Sequence, residues 1–143
     1  MWEYVSLSIS AFFMGYVPFF EIYLAIPVVM IAGMDPVSAI IWSGMGNFLA
    51  VPTVLFLYQL LSRWPRLGRW MKKLEYNRFR RHIDRYGGWM VLLVTVLVGV
   101  WAVAAAGRSL GMSYRVIMIS SACSIILYGI ATAFAVQRGL DFF

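Results

Sequence analysis

This sequence has little charge, one cysteine and one histidine, and each shortage excludes something. Only 13% of its 143 residues are charged, 62% are hydrophobic and the mean hydropathy is +0.80. Soluble domains carry about 25% charged residues, so a water-covered globule is excluded and lipid must face most of the chain. One cysteine, Cys123, excludes an internal disulfide; its apolar neighbours predict a small core residue. His82 stands among arginines with no cysteine or carboxylate cluster beside it, so no protein metal site and no cofactor are expected. There is no nucleophile–base pair and no Gly-rich phosphate loop after a strand, so an enzyme is not expected. Glu3 stands where a cleaved signal needs basic residues, and the chain reads as mature from Met1.

What is present is apolar sequence in three long regions, 4–33, 36–61 and 89–136. A spanning helix needs roughly 20 apolar residues. The second region supplies one span. The third supplies a span from 113 to about 137, preceded by an apolar piece at 89–111. Between Arg63 and Arg85 lie nine of the twelve basic residues and two acids. Short loops rich in Lys and Arg stay in the cytoplasm, which places 62–88 there. Within it, Leu67, Trp70, Met71 and Leu74, then Phe79, Ile83 and Tyr86, recur at helical spacing. That pattern describes a basic amphipathic helix on the membrane surface, with Arg78, Arg80, Arg81 and Arg85 gripping anionic lipid. Membrane segments on both sides of the loop argue against nucleic acid as a partner.

Two apolar regions are interrupted. Residues 18–27 read P-F-F-E-I-Y-L-A-I-P. Pro18 and Pro27 each remove a backbone donor, and Glu21 lies between them. Irregular backbone at membrane depth is tolerated where protein buries it or where it lines a wet cavity. A re-entrant segment near 18–34, shaped by Pro18, Pro27 and Gly33, meets that condition. In 89–111, small residues run from Ala102 to Gly107, followed by Arg108 and Gly111. This piece either re-enters or spans outright, and the choice sets the side of the C-terminus. A-G-M-D at 32–35 and L-G-M-S at 110–113, 78 residues apart, each open a long helix. Interrupted segments at matching places in two halves point to a transporter site. The expected fold is therefore an all-α integral membrane protein, a helical bundle in one membrane domain, 1–143. Its first half, 1–61, and second half, 89–143, form an inverted repeat of re-entrant segments and spans around the cytoplasmic basic loop.

The Pro18–Pro27 run, G-N at 46–47 and Y-G at 86–87 resemble the small multidrug export family, and that family resembles the wider DedA (SNARE-associated, VTT) superfamily. A-A-G-R-S-L-G-M-S-Y-R at 105–115 is similar to the stretch opening the last DedA helix. The resemblance runs from about Phe12 to Tyr128. It implies two facing re-entrant loops and transport or lipid translocation linked to proton-motive force, with polyprenyl-phosphate or phospholipid as cargo. The family's intramembrane glutamate matches Glu21. The chain departs from the DedA pattern at 96–103, V-L-V-G-V-W-A-V, where an Arg-Pro motif would stand. Phosphate binding by those arginines does not carry over.

Glu21 is the leading candidate, because a carboxylate at membrane depth is costly and usually marks an ion or proton path. Arg108 is its candidate partner, with interfacial snorkelling as the rival role. Asn47 offers polar contact within the second region. The expected function is a transporter or lipid translocase with Glu21 as proton-coupling group. The alternative is a non-transporting scaffold that binds anionic lipid or a partner through the basic loop. Homo-oligomerisation is expected under either, with the Gly44/Gly46 face as a contact.

Overall fold

The computed structural model describes residues 2–63, 69 and 80–140, with side chains from Tyr86 onward in the last stretch. The rest of the basic loop, Arg78 included, lies outside the described residues, as do the side chains of Arg80, Arg81 and Arg85. The elements are helices throughout: α1 (Trp2–Tyr16), α2 (Glu21–Ile31), α3 (Pro36–Ser62), α4 (Arg80–Ser109) and α5 (Tyr114–Leu140). No strand occurs among the described residues. Among the described residues, three stretches are long and apolar enough to cross a membrane, Pro36–Ser62, Tyr86–Ser109 and Tyr114–Leu140. At 1.5 Å per residue α1 and α2 reach about 22 and 16 Å, short of a 30 Å hydrocarbon core.

Packing divides the chain into two units. The first holds 1–50 and 125–143, and the second holds 51–124. In the first, α1 turns back into α2 through a tight bend, with Phe20 and Glu21 both donating to the Val17 carbonyl at 3.2 Å. Pro18 lies inside this bend. Pro27 does not break the chain as its composition suggests; it sits in the middle of α2. Gly15 and Gly46 let α1 and α3 meet backbone to backbone. A Cβ on Gly46 would lie 2.8 Å from the Phe12 carbonyl carbon, and one on Gly15 would press on the Ser43 carbonyl. Gly44 packs on Ile125 of α5. The Gly44/Gly46 face is thus taken up by packing within the chain and is not the subunit contact expected from sequence.

In the second unit, α4 is broken at Gly99, whose φ of 80° and ψ of 165° no helix contains. The sequence pointed to Gly107 as a residue shaping this segment. Gly107 instead lies within the helix, where a Cβ would come within 3.3 Å of Met112 and Ile117 side-chain atoms. The arms on either side of Gly99 fold together, because Met90 and Val94 share one open groove of about 480 Å³ with Ala106 and Leu110. In a straight helix Met90 and Leu110 would be about 30 Å apart. Residues 86–109 therefore form a helical hairpin.

The 78-residue offset runs through the backbone of both units. Every described residue with positive φ belongs to a pair at that spacing, Glu21 with Gly99 and Gly33 with Gly111. Met34 donates to Val29 and Met112 donates to Gly107, at 2.9 and 3.0 Å. Both are the 6→1 bond of a left-handed helix C-terminus. The next helices start alike as well: Ser38 N–H donates to Asp35 Oδ2 at 2.8 Å, and Val116 N–H donates to Ser113 Oγ at 3.4 Å. These are N-caps. Residues 36–62 and 114–140 then follow as helices of equal length, 27 residues each.

Candidate functional site

In the first unit the site forms where α2 begins. Glu21 is only 5% exposed and has a φ of 47°. That left-handed conformation costs a residue with a Cβ about 1–2 kcal/mol. Its counterpart Gly99 takes a positive φ without that cost. A buried carboxylate in a glycine's conformation is a local loss of stability, and such losses concentrate at functional sites. Tyr23, two residues on, reaches the Tyr128 ring of α5 at 6.5 Å between centroids. On α3, Ser43 and Asn47 are fully buried, and the Ser43 hydroxyl and both Asn47 amide atoms have no hydrogen-bond partner. Leaving such groups unpaired in an apolar setting costs on the order of 1–3 kcal/mol each. They lie seven and eleven residues into a 27-residue helix, near mid-depth of the candidate span.

The second unit repeats this arrangement without a carboxylate. Ser121 and Ser124 of α5 are fully buried, and their hydroxyls have no partner. Ser121 is the 78-residue counterpart of Ser43. Arg108 is half-buried and ties down the C-terminal turn of α4. Its Nη1 donates to the Met112 carbonyl at 2.8 Å, and its Cζ lies 4.5 Å from the Tyr114 ring centroid and 5.5 Å from that of Tyr58. A cation there also complements the helix C-terminal dipole. This is an anchoring geometry. Glu21 belongs to the first unit and Arg108 to the second.

Of the other described residues singled out from sequence, three lie at turns or helix ends. Pro18 makes the α1–α2 bend, and Gly33 and Gly111 end α2 and α4 with φ of 101° and 82°. Cys123 is exposed on α5 and is not the core residue its apolar neighbours suggested. Sequence reading missed Gly99, for which the 78-residue offset from Glu21 was the available signal, and Ser124. No cluster of three metal-ligating side chains occurs among the described residues.

Long apolar helices, an outer surface of exposed Leu, Ile, Val and Phe, and buried polar groups define an integral membrane protein of the α-helical class. The model of the family described as "Putative small multi-drug export protein" matches residues 21–131, from the strained glutamate into the last helix, and the chain belongs to that family. No curated protein and no solved structure matches it.

Proposed function

We propose that this protein is a transporter of the inverted-repeat kind, a DedA-like translocase that moves an anionic lipid or similar amphiphile and is coupled to protons through Glu21. The observation that carries this reading is the paired break: Glu21 and Gly99, 78 residues apart, both open a short half-helix with positive φ. Broken helices at matching positions of two halves are where secondary transporters place their sites. The α1–α2 hairpin enters the bilayer from one side and the α4 hairpin from the other, while α3 and α5 cross. The basic loop lies in the cytoplasm, and the membrane is the plasma membrane of a prokaryote. Glu21 takes up and releases the coupling proton, because it is the buried carboxylate beside a break. Substrate passes beside the unpaired Ser43 hydroxyl and Asn47 amide of α3, which exchange hydrogen bonds with it.

Purified protein in proteoliposomes containing a head-group-labelled anionic lipid tests this, with leaflet exchange followed with and without a pH gradient. Gradient-sensitive exchange by wild type that is lost in Glu21→Gln is the expected result. Exchange by Glu21→Gln equal to wild type would remove the coupling role. No exchange by wild type would remove lipid as the cargo.

A further inference from the structure

We infer that the groove between α1 and α3 binds a cationic amphiphile, a quaternary ammonium head on one hydrocarbon chain. The inference goes beyond the transport proposed above. It rests on the first unit being embedded in a membrane, and not on Glu21.

The groove lies wholly within the first unit and holds about 740 Å³, inside the range of about 300–1,000 Å³ for small-molecule sites. Its walls are aromatic at Tyr4, Phe12 and Phe13 of α1 and at Trp42 of α3. Val5 and Ile9 complete an apolar stripe along α1. From Tyr4 to Phe13 that stripe runs about 14 Å, so an extended chain can lie along it. The Tyr4 hydroxyl meets Ser38 Oγ at 3.0 Å. Tyr4 stands in the first turn of α1 and Ser38 in the first turn of α3. The groove is therefore polar where both helices begin and apolar beyond.

Charge selects the head group. The first unit contains four acidic residues and one basic residue, Arg138, whereas the second contains two acidic and eleven basic. The Arg138 guanidinium carbon lies 4.9 Å from the Phe134 ring centroid of its own helix. At the polar end of the groove Asp35 caps α3, accepting from the Ser38 N–H at 2.8 Å. Asp35 and the Tyr4 hydroxyl thus share Ser38 as a neighbour. That cap occupies a donor which, at a bare helix start, would draw an anion. The single N–H of the Trp42 ring donates to the Tyr4 hydroxyl at 3.4 Å, and the Ser8 hydroxyl donates to the Tyr4 carbonyl at 2.8 Å. An anionic head finds these donors already used. A cation finds aromatic rings, which attract it within about 6 Å of their centroids, and a carboxylate beside them. A quaternary ammonium makes no hydrogen bonds, so it loses none here. The chain gains little by leaving lipid for the stripe, because both are apolar; recognition of the head carries the selectivity.

Binding of radiolabelled dodecyltrimethylammonium to purified full-length protein tests this without reference to transport. The protein is held in nanodiscs of neutral glycolipid, and uptake by empty nanodiscs is subtracted. Wild type is expected to bind saturably, with dodecyl sulfate and dodecyl maltoside competing at least about tenfold less well than the unlabelled cation. Trp42→Leu should bind about tenfold or more weakly, and Trp42→Phe, which keeps a ring, should lose less. Phe13→Leu changes an exposed wall of the groove and should cost about two- to fivefold; it covers the case in which Trp42→Leu does not fold. Asp35→Asn should cost about two- to fivefold as well. Cys123→Ser, at an exposed position of α5, should bind like wild type. The site is overturned by absence of saturable binding to folded wild type, by equal competition from dodecyl sulfate or dodecyl maltoside, or by unchanged affinity in the folded members of Trp42→Leu and Phe13→Leu. Equal competition would mean that any hydrocarbon chain fills the groove. A dimer seen by light scattering, with no saturable binding, would mean that a second copy of the chain covers it.

Discussion

Glu21 occupies a backbone conformation that suits glycine, and this gives a prediction whose sign runs against ordinary helix behaviour. With a φ of 47°, any residue with a Cβ is penalised by about 1–2 kcal/mol. Replacing Glu21 by Ala removes the carboxylate and keeps that penalty. Replacing it by Gly removes both, at a cost of about 0.5–1 kcal/mol in extra freedom of the unfolded chain. Glu21→Gly should therefore be more stable than Glu21→Ala by about 0.5–1 kcal/mol. In an ordinary helix position Ala exceeds Gly by nearly the same amount. Gly139 provides the control: it lies in α5, and a methyl group added there would meet nothing within 4 Å, so Gly139→Ala should be neutral or slightly stabilising. Equilibrium unfolding in mixed micelles measures all three. Both Glu21 variants should lack gradient-coupled exchange, so the Gly variant would gain stability and lose function together, as expected where strain is retained for activity. Glu21→Ala proving more stable than Glu21→Gly would refute the argument from strain.

Gly46→Ala would drive a methyl group into the Phe12 backbone; overpacking of this kind costs about 1–3 kcal/mol, and the same unfolding assay should show a loss that Gly129→Ala, with only ordinary contacts, does not. The Ser38 backbone N–H, and its hydroxyl after it, hold the Asp35 carboxyl below its usual range. A depressed folded pKa means that its contribution is present above the ordinary aspartate value of about 3.9 and is lost as pH falls through the folded one. Asp35→Asn should therefore flatten the acid limb of a stability–pH profile. Arg108→Ala removes a carbonyl bond and two ring contacts, for a loss of about 1–3 kcal/mol. Arg108→Lys should recover only part of it, because an ammonium cannot stack on both rings while it donates.

Much of the fold was legible because lipid and proline leave strong marks. The long spans begin at Pro36 and Tyr114, where the apolar runs follow an Asp or Ser cap. The bend at Pro18 was legible for the same reason. The break at Gly99 was not, because a single glycine among valines reads as a tolerated residue of an apolar helix. Pro27 misled in the opposite direction: a proline inside a buried helix is accommodated when neighbouring helices pack around it. Burial could not be read from apolarity. In a bilayer the outer surface is as apolar as the core, so Cys123 could lie on either and in fact lies outside. At the candidate site, Glu21 stood out because charge is rare in these segments. Ser43, Ser121 and Ser124 did not, because serine in a membrane helix usually bonds its own backbone or a neighbour. Only the structure shows their hydroxyls without partners.

The central claim is that two matched hairpins enter the membrane from opposite sides, and cysteine accessibility tests it most directly. In a Cys123→Ser background, Ala32→Cys and Leu110→Cys place single thiols at the matched, exposed ends of α2 and α4. With an impermeant maleimide on intact cells, Ala32→Cys should label from outside and Leu110→Cys only after the membrane is opened. Labelling of both from outside would mean that 86–109 crosses the bilayer, and would contradict the inverted repeat.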